Sequence, residues 1–158
     1  MLRWLALSLG VIVADQTTKY AVLHHLALNE SVTVTPFFKL VLVYNRGAAF
    51  SFLAGASGWQ REFFMAIALA ASVWVIYLLR KHAREALFAF SLSLVLGGAL
   101  GNLIDRVLYG AVVDFLDFHA YGYHWPAFNV ADSAITCGAV LLVWDSIRTR
   151  KRPAVAPR

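Results

Sequence analysis

A chain of 158 residues that is 60% hydrophobic and only 15% charged, with a mean hydropathy of +0.65, is too apolar for an ordinary soluble domain, and the bilayer is its expected solvent. The net charge of +5 does not argue for nucleic acid, because the basic residues gather beside the ends of apolar stretches, where anionic lipid attracts them. A single cysteine, Cys137, excludes an internal disulfide; amid Thr136, Gly138 and Ala139 it reads as small-residue packing.

A spanning helix needs about 20 mostly apolar residues. Four stretches meet or approach that length, 2–23, 63–79, 86–104 and 128–147, in one membrane domain over 1–158. The first carries no small-x-small cleavage site and its helical pattern runs on through Asp15 and Lys19, so it reads as a retained helix rather than a leader. Loop 24–62 follows. Its segment Ser31 to Asn45 is rich in β-branched and aromatic residues with a break at Pro36, which predicts two short strands lying on the outer membrane surface. Arg46-Gly47 then turns the chain, and Trp59 to Glu62 lead into the second span. Trp59 and Trp125 suit interfacial anchoring. Between the second and third spans stand Arg80, Lys81 and Arg84. Loop 105–127 is short enough to make the third and fourth spans antiparallel neighbours, and the tail 148–158 is read as disordered and lipid-touching. With Arg3, nine of the fourteen Lys and Arg fall on one side, which places both termini in the cytoplasm by the positive-inside rule.

An ionisable group at membrane depth costs roughly 2.5–3.5 kcal/mol or more unless paired or hydrated, so each is a functional hypothesis. Asp114 lies just beyond the third span, and Asp132 lies ~6 Å inside the start of the fourth. In the third span, Gly97 and Gly101 have the spacing that lets backbones approach, while Asn102, Asp105 and Arg106 form one polar patch at the outer end. Asn129 can cap the fourth helix, although a cap does not require Asp132 in the next turn, and Asn102, Arg106 and Asn129 read as donors that hold a substrate backbone. Asp15 and Lys19 are an i,i+4 pair read as mutual neutralisation and a tie to the outer loops. Asn45 and Gly47 belong to a hairpin end that can face a substrate backbone. His24, His25, Asp117, His119 and His124 lack a dense ligand spacing, so neither metal nor cofactor is expected.

What remains is a pair of aspartates. Two carboxylates close together share a proton, so one can activate water while the other protonates a carbonyl oxygen; that hydrolyses an amide without metal or covalent intermediate. Which is base and which is acid stays open. A small proton-coupled transporter or channel is the alternative, disfavoured because there is no internal repeat and the polar groups gather at one face. A scaffold explains the glycines but not the aspartates.

Five blocks then carry a resemblance: DQTTK (Asp15 to Lys19), YNRGAAF (Tyr44 to Phe50), GGALGNLIDR (Gly97 to Arg106), VVDF (Val112 to Phe115) and FNVADS (Phe128 to Ser133). In this order they resemble lipoprotein signal peptidase, signal peptidase II, an aspartyl protease of the bacterial cytoplasmic (inner) membrane. The resemblance implies four transmembrane helices, a small periplasmic β-sheet cradle, and a short periplasmic helix matching the region Ser57 to Glu62. It implies Asp114 and Asp132 as the catalytic pair. Asn45, Gly47, Asn102, Arg106 and Asn129 fall on positions that line or support the substrate site, with Asp105 beside them, and Asp15 and Lys19 on positions that shape the periplasmic side. The implied substrate is a prolipoprotein whose cysteine bears diacylglyceryl, cut on the amino side of that cysteine. Cyclic peptide antibiotics such as globomycin are the implied inhibitors.

Overall fold

The computed structural model describes residues 1–47 and 59–150. The elements run α1 (Leu2–His25), β1 (Ser31–Thr35), β2 (Phe38–Asn45), α2 (Gln60–Lys81), α3 (Ala86–Tyr109), β3 (Val112–Ala120), β4 (Tyr123–His124) and α4 (Val130–Arg150). The expected helix around Ser57 to Glu62 falls partly outside the described residues, and Gln60 to Glu62 are the first turn of α2. Ala48 to Phe50 and the tail from Lys151 also lie outside them.

Among the described residues, three helices are long and apolar enough to cross a membrane: Gln60–Lys81, Ala86–Tyr109 and Val130–Thr149, with mean hydropathies of 2.1, 1.9 and 1.5. Helix α1 is as long but is not one of the three, since Asp15, Gln16 and Lys19 make its second half polar. The helices overrun the expected stretches for identifiable reasons. At the start of α2, Arg61 reaches across to donate to the carbonyls of Arg106 and Val107, at 3.0 and 3.2 Å, and so caps the last turn of α3. Helix α3 continues past Asp105 and Arg106 because both are buried against partners, and it stops at Gly110, whose φ of 73° is the left-handed closing position. Helix α4 begins two residues late, because Phe128 bridges to Leu116 of β3 and Asn129 caps it. At its far end it runs into the basic tail as far as Arg150.

Helix α3 is the central element, packed against α1, α2 and α4. Its glycines set the approach distances. A Cβ on Gly97 would stand 2.6 Å from the Val11 side chain of α1, and one on Gly98 would collide with the Ala131 carbonyl of α4. Further along, Gly138 of α4 sits against the Ser91 carbonyl, where a Cβ would come within 2.7 Å. Ser8 donates to the Ser93 carbonyl at 2.9 Å and Trp4 to the Ala83 carbonyl at 2.9 Å, so α1 runs parallel to α3 with its start beside the α2–α3 link. Val75, Leu79, Ala89, Leu92 and Leu96 form the apolar core at that end.

The sheet closes the opposite end, in the order β1-β2-β3-β4, all antiparallel. The two strands expected across Ser31 to Asn45 are present, with Pro36 in the turn between them. Strand β3 was not expected, although Val112, Val113, Phe115 and Phe118 are all good strand formers. It turns into β4 at Tyr121-Gly122, both with positive φ (51° and 82°), the two-residue geometry that matches strand twist. Val22, Leu42, Val113 and Phe115 seat the sheet on the end of α1.

Candidate active site

Two elements deliver the aspartates. Asp114 stands on β3 opposite Val43 of β2, and Asp132 stands in the first turn of α4. The link between them folds back on itself: the Phe128 carbonyl accepts the N–H groups of Phe115 and Leu116 at 3.0 and 2.9 Å, which brings Asn129 beside β3. Asn129 is fully buried and serves both aspartates. Its Oδ1 accepts the N–H of Asp132 at 2.8 Å, the expected cap, while its Nδ2 donates to Asp114 Oδ1 at 2.7 Å and to the Val113 carbonyl at 3.2 Å.

Two further amides complete the cradle. Asn45, on β2, donates to Asp114 Oδ2 at 3.0 Å and also lines the cleft. Asn102, a turn deeper in α3, donates to Asp132 Oδ1 at 2.7 Å. Asp114 is 2% exposed, and burial, reinforced by the Asp132 carboxylate, pushes it up to about 7 against the opposing pull of the Asn45 and Asn129 amides. At neutral pH this carboxyl is therefore poised between its protonated and ionised forms, as acid–base work requires.

The expected patch of Asn102, Asp105 and Arg106 divides in two. Asn102 and Arg106 face a cleft, but Asp105, fully buried, turns to α1 and pairs with Lys19 at 2.8 Å. Three residues along a helix is a rotation of about 60° from the starting face, enough to carry the side chain round. Arg106 donates to the Gly47 carbonyl at 2.9 Å and to the Asn102 carbonyl at 3.3 Å, pinning the end of β2 against α3. Asp15 and Lys19 do pair with each other, at 2.8 Å, yet they tie α1 to the centre of the bundle rather than to the outer loops. Gln16, unnoticed in the sequence although it lies within the DQTTK block, donates to Asp105 Oδ1 at 2.9 Å and to the Gly101 carbonyl at 3.2 Å.

The cleft has a volume of about 680 Å³ and opens between α2 and α4 over the floor of α3. Its inner walls are apolar, with Ile67, Ala68 and Ala71 on α2 and Val95 and Ala99 on α3. Its polar end is lined by Asn45, Gly47, Asn102, Arg106 and Asp132, and Trp125 to Phe128 cover it. Cys137 corrects its sequence reading, being exposed on the cleft wall rather than packed; its neighbour Gly138 makes the helix contact.

Over most of its length the chain is similar to known proteins. Residues 7–148 match the family model described as signal peptidase (SPase) II. The chain is 58% identical over 149 residues to a lipoprotein signal peptidase of Ralstonia nicotianae, covering 94% of this chain and 86% of that protein. It is 59% identical over 145 residues to a lipoprotein signal peptidase of Burkholderia pseudomallei, covering 92% and 87%. A solved structure described as a bacterial membrane enzyme, determined by the in meso method at 2.3 Å resolution, superposes with a TM-score of 0.87 at 33% identity, over 99% of this chain and 96% of that one.

Proposed function

The chain belongs to the signal peptidase II family, a family of proteases, and on that premise we propose that it removes the signal peptide from diacylglyceryl-modified prolipoproteins with Asp114 and Asp132 as a shared-proton dyad. The observation that carries the reading is one buried amide, Asn129, that donates to the Asp114 carboxylate and accepts the backbone N–H of Asp132, beside the polar end of an apolar cleft that Asp132 lines and close enough for the Asp132 carboxylate to act on Asp114.

The chemistry follows from one proton on the pair. The ionised carboxylate takes a proton from water, the oxygen adds to the scissile carbonyl carbon, and the protonated carboxyl gives its proton to the carbonyl oxygen. The resulting diol collapses as the carboxyl that took the water proton gives it to the leaving nitrogen, that of the lipidated cysteine, while the other carboxylate takes a hydroxyl proton from the diol; the C–N bond breaks and the pair is left again with one proton. Asn45, Asn102 and Asn129 hold the carboxylates in place, and Gly47 and Arg106 shape the wall beside them, so positioning supplies part of the rate. No metal or cofactor takes part. The apolar walls suit a signal helix arriving from lipid, with the acyl chains left in the bilayer.

In the membrane, four helices span, with both termini in the cytoplasm and the dyad near the periplasmic surface of a bacterial inner membrane. In support, Arg3, Arg80, Lys81 and Arg84 cluster at the end away from the dyad, where Trp4 meets Ala83. At the dyad end the exposed Tyr121, Tyr123 and Trp125 form an aromatic rim of the kind that sits among headgroups. Globomycin-type cyclic peptides would bind across the same polar end.

The test is cleavage of a diacylglyceryl-modified prolipoprotein by purified protein in detergent. Asp114→Asn and Asp132→Asn should each lose about 10³-fold or more in rate while remaining folded, and EDTA should change nothing. Full activity in either variant ends the dyad reading. Strong inhibition by chelator requires a metal instead, and solute flux in liposomes without cleavage would favour a transporter.

A further inference from the structure

Lys19, 2% exposed, stands between two carboxylates, with Nζ 2.8 Å from Asp15 and 2.8 Å from Asp105. An ion triad that merely joined α1 to α3 would need nothing more. Both acids, however, also hold a backbone amide from another element. Asp15 Oδ1 accepts the N–H of Ala131 at 2.9 Å, and Asp105 Oδ2 accepts the N–H of Val113 at 3.0 Å. Ala131 immediately precedes Asp132, and Val113 immediately precedes Asp114.

We infer that Asp15, Lys19 and Asp105 form a spacer that fixes the separation of the two catalytic aspartates, each acid gripping the chain one residue before a member of the pair. The inference rests on the dyad reading above and adds positioning residues to it. Gln16 reinforces the span, because its amide donates to Asp15 Oδ2 at 3.1 Å as well as to Asp105 Oδ1. Gly101 makes room for it, since a Cβ there would stand 2.7 Å from Asp15 Oδ2. Lys19 also orients a side chain of the cradle. It donates to Asn102 Oδ1 at 3.0 Å, which leaves the amino group of that amide to face Asp132. With the amide reversed, its amino group would oppose an ammonium, and its oxygen a carboxylate.

The separation matters because the coupling between two carboxylates falls with distance, and it is this coupling that splits their titration into two steps. A spacer therefore has a signature that a purely structural tie lacks: the interval between the acid and alkaline limbs of the pH–kcat profile. The other charged groups facing the pair are Asp15 and Lys19 on α1 and Arg106 on α3, with Asp105 beside Lys19 and Arg106, and Gln16→Leu leaves all of them in place.

The experiment uses the full chain in detergent with a synthetic diacylglyceryl-cysteine peptide, rates being normalised to folded protein. Cleavage by the unaltered enzyme and its loss in Asp114→Asn establish the premise; no cleavage at all would sink premise and spacer together. Given cleavage, Lys19→Met should lower kcat about 100-fold with KM within about twofold, and should draw the two limbs together by about half a pH unit. Gln16→Leu should show the same narrowing with a kcat loss of about tenfold, and it decides the matter if Lys19→Met does not fold. Unmoved limbs in a variant that folds, whatever its kcat, would overturn the spacer.

Discussion

Helix α3 separates two unlike regions. Toward α1 and β3 lies a sealed polar region in which all four carboxylate oxygens of Asp15 and Asp105 are engaged by Lys19, Gln16 and two backbone amides. Toward the gap between α2 and α4 lies an apolar cleft whose walls are largely alanine and branched aliphatic side chains. The first region has charge and no room; the second has room and little charge. The difference teaches how a membrane chain keeps ionisable groups at depth: it satisfies each of them in a closed network and leaves open only the face where a substrate can enter. The two aspartates of the proposed dyad sit on the boundary, with Asp114 buried and Asp132 on the cleft wall.

The comparison breaks most severely at Asn129, which belongs to the sealed region yet touches both aspartates. Asn129→Ala deletes the cap of α4 and the donor to Asp114 in one step. A fall in kcat of about 100-fold or more is expected. Stability should fall by about 3 kcal/mol, combining a lost cap with an unsatisfied buried acceptor. Retention of kcat in this variant, measured on folded protein, would show that the amide is not needed to hold the pair.

The boundary itself is sharpened by pH. Asp114 is raised from its ordinary value of 3.8 to about 7 by burial and by Asp132. Between those values the folded protein holds a proton that the unfolded chain has released. The stability contribution is thus fully present below about 4 and is lost as pH rises through about 7. In detergent, Asp114→Asn should gain thermal stability relative to the unaltered enzyme as pH climbs from 5 to 8. The cleavage rate should also fall above about pH 7, approaching tenfold per unit, as the pair loses its last proton. A rate that keeps rising to pH 9, or variant and parent stabilities that run parallel, would contradict the assigned environment.

The two regions were not equally legible in the sequence. The apolar stretches, the break at Pro36 and the two aspartates could be read because hydropathy, turn chemistry and the cost of buried charge are local properties. The cap at Asn129 could be read for the same reason. The direction of Asp105 could not. A helix places it within 60° of Asn102, and only the neighbouring helices decide which side of that face is cleft and which is core. Nor could the reach of Lys19, whose partner Asp105 lies far along the chain, while its local partner Asp15 already offered a sufficient explanation. Strand β3 was hidden because polar and apolar residues are mixed on both of its alternating sets, Asp114 among Val112, Leu116 and Phe118, and Asp117 and His119 beside Val113 and Phe115, which removes the alternation that marks a half-buried strand.

The open region yields the smallest effect and the cleanest separation from the rest. Ala71 lies on the α2 wall of the cleft, in a stretch with Phe64, Ile67 and Ala68 and away from every amide that holds the aspartates. Ala71→Phe adds a ring to a space of about 680 Å³, so the signal helix loses room while the dyad keeps its hydrogen bonds. KM for the lipidated peptide should rise about fivefold with kcat nearly unchanged, the pattern of lost uniform binding. An equal loss in kcat would mean that the cleft walls also set the register of the scissile bond against the dyad. No change in KM would mean that the substrate enters by another face.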